Sequence, residues 1–275
     1  RERNCLKLSQ QSYVNSVLDR YGMQDCKPVT SPIVQASDLM AKGPRSDSEA
    51  SRMAGVPYKE AIGSLLYLAV RTRPEIAVAV SVLSKHVQEP KPCHWEGVKR
   101  VFRYLKGTAS HGLCYTATEQ DPALKIFCDA DWATDPEDRH SRSGVVCYLG
   151  NSLVAWTSRR QATPSVSSCE AEYIALFEAG LDAVWMRSLL CELDMCPGTV
   201  PTQVLHDKQG SIAWAQGGLR KVKHVELKYH HTQHLIESGQ IRIAYVESAM
   251  NAADVMTKAL SGQSFQRALE MLSIA

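Results

Sequence analysis

The spacing of hydrophobic residues changes near the middle of the chain. Up to about residue 112, apolar positions recur at the three- to four-residue interval that is typical of helices. The first predicted helix covers Gln11–Tyr21 and ends at Gly22. A helical hairpin is predicted over Tyr58–His86 with a break before Pro74, because the residue that precedes a proline is kept out of the helical region. The first part of the chain is therefore predicted to be mostly helical.

Beyond this point, short apolar runs replace the helical spacing. Three runs predict an antiparallel meander, namely Ala123–Cys128, Gly144–Leu149 and Leu153–Thr157. A long helix is predicted over Cys169–Leu193, with Ser167 and Glu170 as its capping box. A strand, two helices, a strand and a last helix follow over Thr202–His206, Gln209–Gln216, Val225–Ser238, Ile241–Val246 and Ala252–Leu260. The order βββαβααβα predicts an α/β domain.

The change of pattern predicts two domains, residues 1–115 and residues 116–275. Within the first domain, the segment from about 27 to 57 holds four prolines among many Ser, Asp and Gly residues. We expect an extended linker without regular structure there. The net charge of +2 also divides unevenly, since residues 1–115 carry 17 Lys and Arg against 10 Asp and Glu, and the remainder carries 14 against 19. A basic part suits phosphate binding and an acidic part suits metal binding, although two solvated surfaces would give the same counts.

A basic amphipathic helix is predicted over His94–Lys106, at the end of the first domain. Its apolar residues share one face, and its four cations lie largely elsewhere, at Lys99, Arg100, Arg103 and Lys106. Such a helix either packs on a core with a solvated charged face or contacts the phosphates of a nucleic acid. The spacing alone leaves both interpretations open.

Neither a membrane span nor a disulfide framework is expected. The longest apolar stretch, Ala61–Val70, is far shorter than the ~18 residues that suggest a membrane span. The nine cysteines are scattered, odd in number and without a CxxC pair. This distribution argues against a disulfide framework or a zinc site and favours a reducing compartment.

Four carboxylates stand at the ends of predicted strands or in the first turns of predicted helices, at Asp129, Glu172, Asp207 and Asp254. Carboxylates that are brought together repel one another unless cations balance them. Oxygen ligands favour Mg²⁺ or Mn²⁺, and two such ions ~4 Å apart suit the in-line displacement at a phosphodiester. The positions alone are weakly specific, because the chain contains 29 Asp and Glu residues.

Other acids and a histidine cluster are less favoured as ligands. If the strand continues, Asp131 would lie on the same face of it as Asp129. We nevertheless interpret Asp131 as a solvated turn residue. The same interpretation applies to the acids Asp135, Glu137 and Asp138. Glu170 suits helix capping better than metal binding. Three histidines at helical spacing lack a matching set of other ligands and are assigned to surface or packing, at His230, His231 and His234.

Short sequence words make the choice of acids specific. Asp129 lies in CDADW, Glu172 in SSCEAEY, Asp207 in LHDKQ and Asp254 in NAADVMTKAL. Together with TRPEIAVAVSVLSKHV, RVFRYLKGT and KHVELKYHH, these words resemble, in order along nearly the whole chain, the C-terminal region of Ty1/copia retrotransposon polyproteins. The resemblance implies the end of a reverse transcriptase, with a helical thumb or connection segment, followed by a ribonuclease H domain. That domain is expected to have a mixed five-stranded sheet with flanking helices.

The resemblance also implies an activity, a magnesium-dependent endonuclease that cuts the RNA strand of RNA/DNA hybrids. Asp129 would bridge two Mg²⁺ ions, with Mn²⁺ as an alternative, and Glu172 would bind one ion and orient the water or a substrate hydroxyl. Asp207 and Asp254 would complete the ligand set. Contacts to 2′-OH groups would provide the preference for RNA. The cations of the basic helix are then expected to contact the nucleic acid.

Partners and setting follow from the same resemblance. The chain begins at Arg1, and we expect a piece of a larger polyprotein whose polymerase palm and fingers are missing from it. Polymerisation by this chain alone is therefore not expected. The expected setting is intracellular and cytoplasmic, in virus-like particles, without a membrane.

Two alternative functions remain. Lys208 follows Asp207, where the family commonly has Asn, and it would either weaken metal binding through like charge or point outward toward phosphate. With the missing palm, it motivates the hypothesis of a catalytically inactive or repurposed fragment that binds nucleic acid. A transposase or integrase core is the third hypothesis, but it expects three acids with a late Glu, whereas the order here is Asp, Glu, Asp, Asp.

Overall fold

The computed structural model describes residues 5–33, 45–116, 123–133, 139–195, 198–218 and 226–275. The chain divides into two compact units, residues 1–115 with 258–275 and residues 116–257. The sequence places residues 258–275 in the second domain, but they group with the first unit. Leu113 forms an antiparallel bridge with Ile274, and the ring of Tyr104 lies 5.7 Å from that of Phe265.

The first unit is mostly helical. Its elements up to residue 116 are β1 (Cys5–Ser9), α1 (Gln11–Arg20), α2 (Asp47–Met53), α3 (Tyr58–Arg71), α4 (Ala77–Ser84), α5 (Pro92–Gly107) and β2 (Gly112–Thr116). The predicted hairpin is confirmed as α3 and α4, with a 3₁₀ turn at Pro74–Ile76 between them. The strands β1 and β2 pair in a two-stranded sheet that the sequence did not predict.

Helix α2 contradicts the prediction of a linker without regular structure over 27–57. It begins after Ser46, whose hydroxyl oxygen accepts a hydrogen bond from the backbone N–H of Glu49 at 3.3 Å. The carboxylate of Glu49 accepts in return from the backbone N–H of Ser46 at 2.9 Å. This capping box satisfies two backbone donors at the start of the helix and stabilises it within a proline-rich segment. Residues 34–44 of the predicted linker lie outside the described residues.

A buried charged network lies in the first unit. The guanidinium of Arg73 donates to the carboxylate of Glu75 at 2.6 Å, and both side chains are 0% exposed. Arg73 also donates to the backbone carbonyl of Thr108 at 3.1 Å and to its hydroxyl at 2.6 Å. The hydroxyl of Tyr104 donates to the same carboxylate at 3.3 Å. The 3₁₀ turn between α3 and α4 is thus connected to the end of α5.

The second unit contains a five-stranded sheet. Its elements are β3 (Leu124–Asp131), β4 (Arg142–Leu149), β5 (Ser152–Arg160), α6 (Ser168–Glu192), β6 (Thr202–His206), α7 (Gln209–Ala213), α8 (Glu226–Glu237) and β7 (Ile241–Tyr245). The strand order is β5-β4-β3-β6-β7. The first three strands are antiparallel, as predicted, whereas β6 is parallel to β3 and β7 is parallel to β6. The expected mixed sheet of a ribonuclease H-like fold is confirmed.

Helix α6 packs against this sheet. Its buried core positions include Tyr173, Ala175 and Ala179, which share one hydrophobic cluster with Ile126 of β3 and Val204 of β6. Burial of this apolar surface fixes the helix on the strands that carry the predicted ligands. The beginning of α6 therefore has a defined position relative to the sheet.

The segment after β7 differs from its prediction. Instead of a helix over Ala252–Leu260, it forms two 3₁₀ turns, Ser248–Met250 and Ala252–Met256. Between the turns, the side chain of the buried Asn251 accepts from the backbone N–H of Ala253 at 3.1 Å, which caps the second turn. A final helix α9 (Gly262–Met271), which was not predicted, belongs to the first unit.

The described residues also bear on membrane segments and on the cysteines. Among the described residues, no helix is long and apolar enough to cross a membrane. Seven of the described cysteines are free, but Cys191 is disulfide-bonded. The sequence argued against a disulfide framework and did not single out Cys191, so this disulfide was missed; Cys196 lies outside the described residues.

Candidate metal centre

Asp129 occupies the C-terminal part of β3 and is 1% exposed. In the register of the sheet it lies opposite Gly144 of β4. The hydroxyl of Thr257 donates a hydrogen bond to Oδ2 of Asp129. A nearly buried carboxylate is thus held by a hydroxyl from the segment that follows β7.

Asp254 reaches the same region because the Ala252–Met256 turn lies directly on β4. A Cβ atom at Gly144 would lie 2.7 Å from Cβ of Met256 and 2.9 Å from the carbonyl oxygen of Ala253, so only glycine permits this approach. The amide of Asn251 donates to the carbonyl oxygen of Cys128 at 3.0 Å and so connects the turn to β3. The half-buried Asp254 is therefore placed by the backbone on both sides of it.

Glu172 lies in the first turns of α6, where its Oε2 accepts a hydrogen bond from the backbone N–H of Ala130 at 3.0 Å. The hydroxyl of Ser167 caps the helix by accepting from the N–H of Glu170 at 3.1 Å. The carboxylate of Glu170 accepts from the N–H of Val166 at 2.8 Å, one residue before the predicted capping-box partner. Glu170 therefore helps to cap the start of α6, whereas the carboxylate of Glu172 contacts the backbone of β3.

Asp207 follows β6 directly and is half-buried. Because β3 and β6 are parallel, their carboxyl ends meet at one edge of the sheet, and this brings Asp207 toward Asp129. The hydroxyl of Ser248 donates to Oδ2 of Asp207. Topology, rather than proximity in sequence, thus gathers these acids.

The four predicted carboxylates form two overlapping groups of possible ligands. One group joins Asp129, Asp207 and Asp254, and the other joins Glu172 and Asp207 with His206. Within each group, one ligand atom from each residue lies within 4.8 Å of the others. Among the described residues, neither Asp131 nor the histidines of α8 belong to such a group, and residues 134–138, with the predicted turn acids, lie outside the described part.

Two buried side chains beside the acids have shifted pKa values. Burial, followed by the charges of Glu172 and Asp129, raises the pKa of the Cys128 thiol well above its usual value. Burial also lowers the pKa of His206, whose Nε2 lies 3.8 Å from Oε2 of Glu172. A neutral imidazole and clustered carboxylate oxygens suit a divalent cation, and the predominance of oxygen donors suits Mg²⁺ or Mn²⁺. The residues present therefore fit the expected metal.

Comparison with known proteins identifies the family. No family model matches the chain. The retrovirus-related Pol polyprotein from transposon TNT 1-94 of Nicotiana tabacum is 34% identical over 279 residues, and that from transposon RE2 of Arabidopsis thaliana is 34% identical over 265 residues. The chain belongs to the retrotransposon Pol polyproteins. These alignments cover 100% and 95% of the chain, but the chain spans only 21% and 18% of the two Pol polyproteins.

The chain was also compared with solved structures. The N-terminal ribonuclease H domain of a Mycobacterium tuberculosis protein is 18% identical, with a TM-score of 0.38, over 54% of this chain and 97% of that chain. At this score, the fold assignment rests on the strand order and directions of the sheet itself.

The basic residues predicted to bind nucleic acid lie on α5 of the Pol chain, and three of them contact other protein groups. Lys99 forms an ion pair with Glu96 at 2.6 Å. Arg100 donates to the hydroxyl of Ser31 at 3.2 Å, and Arg103 donates to the backbone carbonyl of Lys27 at 2.7 Å. The fourth cation, Lys106, is exposed. The helix thus combines a buried apolar face with cations that partly serve internal contacts.

Three residues near the acids of this Pol chain were not singled out from the sequence. They are His206, Asn251 and Thr257, which are 0%, 0% and 3% exposed. His206 precedes Asp207 in LHDKQ, and the other two lie in NAADVMTKAL, so the motif words already contained them. Lys208, which raised doubt about metal binding, is exposed.

Proposed function

We propose that the chain is a metal-dependent endonuclease that cleaves the RNA strand of RNA/DNA hybrids as part of a Ty1/copia-type reverse transcriptase and ribonuclease H polyprotein. The observation that carries the proposal is the convergence of Asp129, Glu172, Asp207 and Asp254 into two ligand groups that share Asp207. Like charges at this spacing are unfavourable without a cation. Membership of the Pol family and the mixed sheet support the same function.

The exposures of the four acids suggest how the site works. Asp129 and Glu172 are buried, and each is fixed by a hydrogen bond, from Thr257 and from the N–H of Ala130. They would hold the ions, two Mg²⁺ or alternatively Mn²⁺, at the floor of the site. The half-buried Asp207 and Asp254 would complete the ligand set at the side that solvent reaches. Ions bound there would supply an activated water and stabilise the leaving oxygen.

The substrate and the wider setting belong to the same proposal. Contacts to 2′-OH groups would distinguish RNA from DNA in the hybrid. Cations of α5 would contact phosphates, and the remaining polymerase parts of a polyprotein would act beside this chain in the cytoplasm.

Cleavage by the purified chain tests the proposal. An RNA/DNA hybrid with a labelled RNA strand is incubated with the wild-type chain, Asp129→Asn and Asp131→Asn, in Mg²⁺ and in EDTA. We expect the wild type to cut the RNA strand only with Mg²⁺ and Asp129→Asn to be inactive, because the substitution removes a charged ligand. Its unfolding temperature in EDTA should be no lower than that of the wild type, because the side-chain volume hardly changes. Asp131→Asn is the matched control on the same strand and should remain active.

Equal activity of Asp129→Asn and the wild type would contradict the metal centre. A wild-type chain that binds the hybrid without cutting it would instead favour the inactive or repurposed fragment. Duplex DNA of the same sequence, which should remain uncut, tests the preference for a hybrid.

A further inference from the structure

We propose that Thr257 is a positioning residue that orients the carboxylate of Asp129 for metal binding. This inference rests on the proposed metal-dependent function and adds to it a side chain that is not itself a ligand. Its hydroxyl donates to Oδ2 of Asp129 and lies 3.2 Å from the backbone carbonyl oxygen of Asp254. The hydroxyl thus connects the turn that carries Asp254 to the carboxylate of Asp129 on β3.

The position of this hydroxyl is determined by its surroundings. Thr257 is 3% exposed and follows the Ala252–Met256 turn, which lies on Gly144. The carbonyl oxygen of Met256 accepts from the hydroxyl of Ser158 on β5 at 2.6 Å. On the other side of the turn, Asn251 donates to β3 at the carbonyl of Cys128. Because the backbone is held at both ends, the hydroxyl has little freedom to leave Asp129.

The hydrogen bond is compatible with metal binding. A carboxylate oxygen can accept at two lone-pair sites, so Oδ2 can keep the Thr257 bond while the same carboxylate binds a cation. The bond selects one orientation of the carboxylate before the cation arrives and stabilises its ionised form. Partners of this kind typically change metal affinity by roughly 10- to 100-fold when they are removed.

Four variants isolate the hydroxyl from the rest of the side chain. Thr257→Val keeps the branched shape and loses only the hydroxyl, whereas Thr257→Ser keeps the hydroxyl. Thr257→Ala, compared with Thr257→Ser, provides a second pair that differs in the hydroxyl alone. Thr232→Val is the matched control, because Thr232 is a 0% exposed threonine of the same unit whose hydroxyl donates to the carbonyl of Lys228 at 3.0 Å.

Manganese binding to the protein without substrate is the main measurement, with free Mn²⁺ followed by electron paramagnetic resonance. We expect Thr257→Val to bind Mn²⁺ roughly 10- to 100-fold more weakly than the wild type, and Thr257→Ala to bind more weakly than Thr257→Ser by a similar factor. Thr257→Ser and Thr232→Val should bind like the wild type. In cleavage assays, the Mg²⁺ concentration for half-maximal rate should rise in Thr257→Val while the KM for the hybrid stays constant.

The outcomes separate this inference from the proposed function. If the wild type binds Mn²⁺ no better than Asp129→Asn, the metal centre itself is wrong. If the wild type binds Mn²⁺ and neither hydroxyl pair differs, the positioning role is overturned and the metal centre stands. If Thr257→Val does not fold, the comparison of Ser with Ala decides. Equal losses in Thr257→Val and Thr232→Val would indicate general destabilisation and would also overturn the role.

Discussion

The two units bury charged groups in opposite ways. In the first unit, Arg73 and Glu75 form an ion pair in which both side chains are 0% exposed. In the second unit, the buried Asp129 and Glu172 lie beside further carboxylates. The first cluster balances its own charge, whereas the second gathers like charges, which become favourable when a cation joins them. The first cluster therefore stabilises the fold, whereas the second is suited to binding a metal ion.

The contrast extends to hydrogen bonding. Arg73 directs its donors to Glu75 and to two oxygens of Thr108, so the network closes within the first unit. In the second unit, the hydroxyl donors Thr257 and Ser248 reach Asp129 and Asp207 and orient them without neutralising their charge. Orientation without neutralisation suits groups that must accept a metal ion.

The largest predicted effect comes from breaking the self-balanced cluster. Arg73→Met should destabilise the first unit by about 3–5 kcal/mol, because it leaves the carboxylate of Glu75 buried without its cation. Hydrogen exchange measured on peptides from residues 58–107 reports the loss for this unit. Arg71→Met is the control, since Arg71 is exposed at the end of α3, and should change stability by no more than about 0.5 kcal/mol. A loss below about 1 kcal/mol in Arg73→Met would show that the pair contributes little to the fold.

The like-charged cluster should respond in the opposite direction. Asp207→Asn removes one of the repelling charges and keeps an oxygen that can accept from Ser248. In EDTA, we expect the stability of the second unit to stay constant or to rise by about 1 kcal/mol, since Asp207 is half-buried and its interactions are screened by solvent. The stabilisation that excess Mg²⁺ gives to the wild type should be lost.

Thermal unfolding in EDTA and in Mg²⁺ measures both parts of this prediction. Glu237→Gln, which changes an exposed carboxylate of α8, serves as the control and should keep the Mg²⁺ effect. If Asp207→Asn lowered stability in EDTA as strongly as Arg73→Met lowers it in the first unit, the two clusters would not differ in kind.

Local patterns in the sequence predicted much of the fold. Helices α1 and α3 to α8 and strands β3 to β7 were recognised because their periodicity and end signals are local properties of the chain. Strand β1 was missed because its five residues are a short run whose partner is the distant β2. The 3₁₀ turn Ala252–Met256 was mistaken for a helix, since its shape depends on the close approach to Gly144. Such contacts between distant segments leave no periodic signal.

The candidate site shows the same limit. The four acids were selected from short sequence motifs, and the structure brings their ligand atoms together. The positioning role of Thr257 could not be found in this way, because its hydrogen bond joins residues 128 positions apart. The position of His206 beside Glu172 likewise depends on how β6 and α6 pack. Ligand types are visible in sequence, whereas the groups that orient them emerge only in three dimensions.

The smallest predicted effect concerns the surface of the first unit, where cations are partly used within the protein. Lys106 is exposed, whereas Lys99 pairs with Glu96 at 2.6 Å. If α5 contacts a hybrid, each phosphate contact adds about 0.9 to the slope of log affinity against log salt concentration. Lys106→Gln should therefore reduce the slope by about 1, and Lys99→Gln should reduce it less, because its ammonium group already has a carboxylate partner. Fluorescence anisotropy of a labelled hybrid across a salt series, in EDTA to prevent cleavage, gives both slopes.

Unchanged slopes in both variants would assign α5 to the core alone, with a solvated charged face. If both variants reduced the slope equally, Lys99 would leave Glu96 when the hybrid binds. Cations with a partner inside the protein and cations without one would then not differ on this helix.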